Sequence, residues 1–217
     1  GDPFILDGDI TRKDEPINLS EDSDGIMALA IDIGLPLIKS DNYAISIYSQ
    51  AAQMIGRTIN PETKKIQNLG VGIIPLGITS QFGLLKFKLE YRIIPDGNFE
   101  FDYWNRLYEL ERISFVRNNS NQVLLRTKES RLGRYGRQKG YFSGATVNFG
   151  GILQGNLSYN NMTGNLWSET DSRFTETKNQ TFISSLSLKK GFSKLKRASV
   201  FYQQRNVPNP FRFEYSE

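Results

Sequence analysis

Between Leu84 and Tyr103 the chain reads LLKFKLEYRIIPDGNFEFDY, with apolar and charged residues alternating almost without exception. Leu85, Phe87, Leu89, Tyr91 and Ile93 fall on one parity, and Lys86, Lys88, Glu90 and Arg92 on the other. Successive side chains of a strand point to opposite faces, so this period of two predicts a long strand with one apolar and one charged face. A turn at PDGN then leads into a second strand, NFEFDY. A two-residue loop at Asp96–Gly97 would set Ile93 opposite Glu100, whereas a three-residue or bulged loop puts Leu85, Phe87, Leu89, Phe99 and Phe101 on one face.

The same period recurs along most of the chain. In IMALAIDIGLPLI, Met27, Leu29, Ile31, Ile33, Leu35 and Leu37 oppose Ala28, Ala30, Asp32, Gly34 and Pro36. Further strands are predicted at YAISIYSQAAQ, at the Gly-rich LGVGIIPLGITSQ with an irregularity at Pro75, and at YFSGATVNF and its partner beyond Gly150–Gly151. TFISSLSLKK, RASVFYQQR and FRFEYSE supply the last ones. Residues 104–140 lose the pattern, and NMTGNLWSETDSRFTETKNQ (161–180) reads as a long polar loop with room for a hairpin of its own. No helix-period segment stands out. The expected class is therefore all-β, with an acidic, turn-rich arm at 1–24 and one barrel domain at 25–217 of about 10–12 strands.

Two architectures fit an alternating chain: a soluble barrel or sandwich with its apolar face inward, and a membrane barrel with that face in lipid. A strand such as Leu84–Ile94 spans ~36 Å at ~3.3 Å per residue and, tilted by ~40°, covers ~28 Å, close to the ~25 Å apolar band of an outer-membrane barrel. The polar faces differ between strands. Around YFSGATVNFGGILQGNLSYN they are small and neutral, and around LLKFKLEYRII heavily charged, a mixture that suits a lumen. Tyr91, Tyr103, Trp104, Tyr108, Tyr141, Phe149, Tyr159 and Tyr202 lie near strand ends or on the apolar parity, as interfacial girdles require, although aromatics are also good strand formers.

Composition narrows the chemistry. The 217 residues are 38% hydrophobic, 12% aromatic and 23% charged, with a net charge of +4, which suits a folded chain. Without cysteine there is no disulfide, thiolate nucleophile or thiolate metal site; without histidine, the commonest neutral-pH base and metal ligand is missing. Neither a metal nor a cofactor is expected, and the chain reads as a non-enzyme. No apolar run is long enough for a transmembrane helix, and no signal-peptide pattern follows Gly1, so any secretory signal is expected to have been removed.

Charge supplies two candidate surfaces. Lys86, Lys88, Glu90, Arg92, Glu100, Asp102 and Arg106 would line a lumen, either setting its selectivity or closing it with cross-strand ion pairs. Residues 112–139 carry Arg112, Arg117, Arg126, Lys128, Arg131, Arg134, Arg137 and Lys139 against the single acid Glu129. Such a cluster attracts phosphates, lipopolysaccharide phosphates among them, or small anionic solutes; a solvated loop is the other reading. Nucleic acid is a poorer fit, because the aromatics lie on the apolar parity and not beside the arginines. Asp22–Ser23–Asp24–Gly25 lacks the closing glutamate of a calcium loop and reads as a turn.

Alternating segments of ~10 residues, short turns alternating with long polar loops, and the absence of cysteine make residues 25–217 resemble a bacterial outer-membrane β-barrel, porin-like in architecture. That resemblance implies an antiparallel up-and-down transmembrane β-barrel in the outer membrane of a Gram-negative envelope. It would serve as a channel or structural barrel, with the bilayer and lipopolysaccharide as partners. Such barrels usually finish on an aromatic residue, and a continuation past Tyr215–Ser216–Glu217 would account for the difference. The alternative is a soluble lipocalin-like barrel or sandwich binding an apolar ligand or carbohydrate.

Overall fold

The computed structural model describes residues 25–40, 42–105, 108–117, 123–190 and 196–211; the side chains of 109 and 113–126 lie outside that description. The expected N-terminal arm and residues 212–217 fall outside it too.

In chain order the strands begin with β1 (Met27–Lys39), β2 (Tyr43–Ile55), the short pair β3 (Arg57–Ile59) and β4 (Ile66–Asn68), β5 (Val71–Phe82) and β6 (Leu85–Ile94). An insert follows, with α1 (Tyr108–Glu111), β7 (Ile113–Arg117), β8 (Val123–Thr127) and α2 (Lys128–Leu132). The chain continues as β9 (Tyr135–Phe149), β10 (Leu153–Ser168), β11 (Arg173–Leu188) and β12 (Ser199–Val207). The eight long strands form one antiparallel sheet in the order β1-β2-β5-β6-β9-β10-β11-β12. Every spatial neighbour is thus the next long strand in sequence, an up-and-down meander. The class is all-β, as expected. Among the described residues no ladder joins β1 to β12.

The ladder geometry explains the sequence irregularities. Pro75 has no amide hydrogen to give a ladder, and β5 shifts register against both neighbours there, between its Ile74 and Gly77 in the pairing with β2 and between its Ile73 and Leu76 in the pairing with β6. The Ser49 hydroxyl donates to the Pro75 carbonyl at 2.6 Å across the break. The β9–β10 hairpin turns at Gly150 and Gly151, with φ of +56° and +72°, values that suit glycine. There the Gly151 amide donates to Asn148 Oδ1 at 3.2 Å.

Three expectations change. Beyond Ile94 the chain does not form a second strand: residues 98–105 fold as turns and irregular backbone, so Phe99 is buried at the core and Phe101 packs edge-on against it with ring centroids 5.0 Å apart. Neither sits with Leu85, Phe87 and Leu89, which are exposed. Gly97 and Asn98 both take positive φ, and Asn98 hydrogen-bonds to Gly70 and Tyr135, which turns the chain across the sheet instead of back along β6. Second, 161–180 is the hairpin it has room for and not a loop, because β10 and β11 run through it in unbroken register to a turn at 169–172. Third, the blurred region, where LYELERISFVR admits a continued strand or a short helix, holds α1 there and a second helix, α2, capped by the Thr127 hydroxyl, which accepts from the Ser130 amide.

The meander has two unlike ends. At one, the strands connect through 40–42, 83–84, 150–152 and 189–198; at the other lie the β3–β4 excursion, the insert 95–134 and the turn 169–172. The insert packs on one face of the sheet, called the inner face here. Met54, Leu69, Ile94, Phe99, Tyr103, Leu132, Tyr135 and Met162 form the hydrophobic core between insert and sheet, confined to that end. The opposite, outer face carries exposed Leu76, Leu85, Phe87, Leu89, Leu157, Leu186 and Val200, and it continues on β1 through Leu29, Ile31, Ile33 and Leu35. Among the described residues, exposed large hydrophobics outnumber buried ones.

Candidate functional site

Register fixes which side chains share the inner face. Gly34, Tyr48, Gly77, Glu90, Phe142, Asn160 and Thr181 lie in one row across β1 to β11. A neighbouring row holds Pro36, Ser46, Thr79, Lys88, Gly144, Ser158 and Ile183. Small and polar residues dominate, so the face opposite the apolar one is wet in character.

The first charged cluster stands on β6. Glu90, 1% exposed, accepts from Arg92 Nε at 2.6 Å and from the Tyr48 hydroxyl, and pairs with Lys88 at 2.5 Å. Arg92, 3% exposed, also donates to Asp102 at 3.0 Å, while its guanidinium lies 4.7 Å from the Phe101 ring and 4.0 Å from that of Phe142. Phe99 reaches the inner face because Gly72 leaves space for it: a Cβ at that position would run into the ring.

The second cluster ties the insert to the far side of the sheet. Glu111 accepts from Lys128 Nζ at 2.8 Å, from Arg205 Nη1 at 2.9 Å and from Gln203 Nε2 at 2.9 Å. Arg205 donates through Nη2 to Glu100 at 2.9 Å, and Asn206 bridges Glu100 (3.1 Å) and the Tyr135 hydroxyl (2.9 Å). Lys128 is buried, donates to the Tyr103 carbonyl at 2.6 Å, and lies over the Tyr103 and Tyr108 rings. One insert thereby contacts β6 through Asp102, the β3 strand through Gly133 and Thr58, and β12 through Glu100 and Glu111. The sheet wraps around it.

These contacts set the charges. Burial works against an ionised Glu111, but the Lys128 hydrogen bond and the Arg205 charge outweigh it and hold the carboxyl below its ordinary value of 4.5. Burial, reinforced by the Glu129 carboxylate, pushes the Tyr103 phenol upward, so it stays neutral. Arg131 loses hydration by burial, yet Tyr135, Glu100 and Glu111 more than compensate and keep it charged.

Two hollows open on this face. One, of about 310 Å³, lies beneath residues 99–105 and is lined by Arg92, Phe101, Trp104, Asn160, Asn179 and Arg205 among others. The other, of about 480 Å³, sits toward the short-turn end near Ser46, Thr79, Lys86, Lys88, Thr146 and Asn156.

Of the lumen candidates, Lys86, Lys88, Glu90 and Arg92 stand on the inner face; Glu100 and Asp102 reach it from the insert and not from a neighbouring strand. Arg106 lies outside the described residues, as does the Arg126 side chain. The other basic candidates do not converge. Lys128 is spent on Glu111, and Arg134 pairs with Glu169 at 2.6 Å. Arg137 and Lys139 are exposed on the outer parity, Arg137 donating to the Pro95 carbonyl at 2.9 Å. Sequence reasoning missed Tyr48, Glu111 and Arg205. Extending the period of two through VFYQQRN would have put Gln203 and Arg205 on one face, whereas Glu111 sits where no period exists. No family model matches the chain, and neither a curated protein nor a solved structure matches it.

Proposed function

We propose that the chain forms the wall of a porin-like β-barrel in a bacterial outer membrane, with the charged inner face as its lumen and the insert 95–134 folded in as a constriction. The observation that carries this reading is the inverted polarity of the sheet. Leu85, Phe87 and Leu89 are exposed on the outer face while Glu90 and Arg92 are buried on the inner one. A soluble lipocalin-like barrel needs the reverse, since a continuous exposed apolar face is unfavourable in water and favourable in lipid. Long strands support the reading as well, β10 and β11 having 16 residues each.

In lipid an open strand edge is untenable, so the barrel closes by pairing the edges of β1 and β12, directly or through further strands. Bacterial barrels keep short turns on the periplasmic side and long loops outside, which orients the insert outward. At that end Tyr91 and Tyr141 pair on the outer face with ring centroids 5.1 Å apart, and Arg137 and Lys139 stand beside them, where lipopolysaccharide phosphates would lie. Lys86 and Lys88 give the periplasmic half of the lumen a positive lining for small anions. No reaction, cofactor or nucleic-acid contact belongs to this function.

The test is extraction and conductance. The protein should require detergent, insert into lipid vesicles with its β spectrum intact, and pass current in a planar bilayer. A monodisperse soluble monomer would reject the membrane assignment. Insertion without current would make the barrel a plugged, structural one.

A further inference from the structure

The residues lining the hollow beneath the insert carry hydrogen-bonding atoms that nothing among the described residues uses. Gln138, 2% exposed, and Asn179, 7% exposed, pair with each other, Asn179 Nδ2 donating to Gln138 Oε1 at 3.0 Å. That leaves Gln138 Nε2 and Asn179 Oδ1 buried without partners among the described residues, along with Asn160 Oδ1 and Arg205 Nε. All four residues line the same cavity. Turning over both amides of the Asn179–Gln138 pair exchanges which of them offers the spare donor, but the tally of donors and acceptors is unchanged. A buried polar group without a partner costs roughly 1–3 kcal/mol, so a site holding several of them favours an occupant that both donates and accepts.

Charge says what kind. Arg92 is balanced by Glu90 and Asp102, and Arg205 by Glu100 and Glu111, so neither guanidinium has charge to spare for an anion. Hydroxyl groups donate and accept at once, as the unused atoms require. Trp104, half exposed, adds a flat apolar surface for the C–H face of a sugar ring. The volume, about 310 Å³, lies at the small end of the roughly 300–1,000 Å³ seen for small-molecule sites.

We propose that this cavity is a binding site for a neutral sugar of mono- or disaccharide size, held by Gln138, Asn160, Asn179 and Arg205. The site adds a neutral solute class at the insert end of the inner face, and in that sense rests on the channel reading. Its test does not. Binding is read by titration calorimetry on the full chain in an amine-oxide detergent, whose headgroup carries no sugar, so a failure here leaves vesicle insertion and conductance to stand by themselves.

The probes are glucose, maltose and sodium phosphate. One of the two sugars should bind saturably with a millimolar dissociation constant, and phosphate should not. Asn160→Leu keeps the side-chain branching and heavy-atom count and removes an unused acceptor; it should leave the melting temperature equal or higher and weaken sugar binding at least about tenfold. Asn179→Ala, which also removes the Gln138 partner and is therefore read by sugar binding alone, covers a failure of the first variant to fold. The proposal is overturned if neither sugar binds up to roughly 100 mM, which would leave the cavity to water alone. It is equally overturned if phosphate binds in their place, or if a folded Asn160→Leu or Asn179→Ala protein binds sugar as the parent does.

Discussion

Removing the charge of Glu111 should release the insert while leaving the sheet standing. Its carboxylate is the shared partner of Lys128 and Arg205, and Lys128 is 2% exposed. Taking one partner from a fully buried ion pair costs roughly 3–5 kcal/mol, because the other charge stays desolvated. The cost is smaller here, since Glu111 keeps 21% of its side-chain exposure, Lys128 retains the Tyr103 carbonyl at 2.6 Å and Arg205 retains Glu100 at 2.9 Å. About 2–3 kcal/mol is then expected for Glu111→Gln. The assay is limited proteolysis of the folded protein in detergent, where cleavage within 95–134 tracks the population of the released insert; that free energy corresponds to roughly 30- to 150-fold faster cutting. The pH dependence has a fixed sign. A carboxyl whose folded value is depressed contributes its full stabilisation above its ordinary value of 4.5 and loses it as pH falls through the lowered one. Parent protection should therefore persist down to that ordinary value and fail only below it, and the Gln variant should lack this step. Cutting within twofold of the parent, or an unchanged acid step, would refute the tether.

Other substitutions probe the two faces of the sheet. Leu89→Arg, at a site 51% exposed on the outer face, should cost roughly 2–4 kcal/mol of unfolding free energy in lipid vesicles, against within about 0.5 kcal/mol for a solvated surface site. A neutral result by denaturant titration would count against lipid contact. Gly77→Ala places a Cβ against the Tyr48 ring and should cost roughly 1–3 kcal/mol by thermal melting in detergent. Gly34→Ala, in the same row, meets nothing nearer than 3.8 Å and should be close to neutral by the same melt.

What the sequence made legible follows from how local each cause is. Period-two alternation is set by the pleat of a single strand, so the faces of β1, β2, β6 and β9 can be read directly. Pro75 announced its bulge because a missing amide is a property of one residue. The insert was illegible for the opposite reason. Phe99 and Glu100 continue the alternation of β6 on paper, but the positive φ of Gly97 and Asn98 and the space at Gly72, 27 positions earlier than Phe99, redirect them. Lys128 looked like one member of a basic patch because its partner Glu111 lies in a segment with no pattern, and Arg205 is brought to them only by the curl of the sheet. The unused amides of Gln138, Asn160 and Asn179 were invisible as a group, since each is an ordinary polar position on its own strand.

The most direct test of the outer-face assignment uses the chain's freedom from cysteine. Single variants Leu85→Cys, Lys86→Cys, Phe87→Cys, Lys88→Cys and Leu89→Cys, spin-labelled and folded into lipid vesicles, report collision rates with oxygen, which partitions into lipid, and with a water-soluble nickel chelate. Labels at 85, 87 and 89 should favour oxygen and those at 86 and 88 the chelate, giving a two-residue oscillation along β6. Uniform access to the chelate, or an oscillation of opposite phase, would contradict a lipid-facing outer surface.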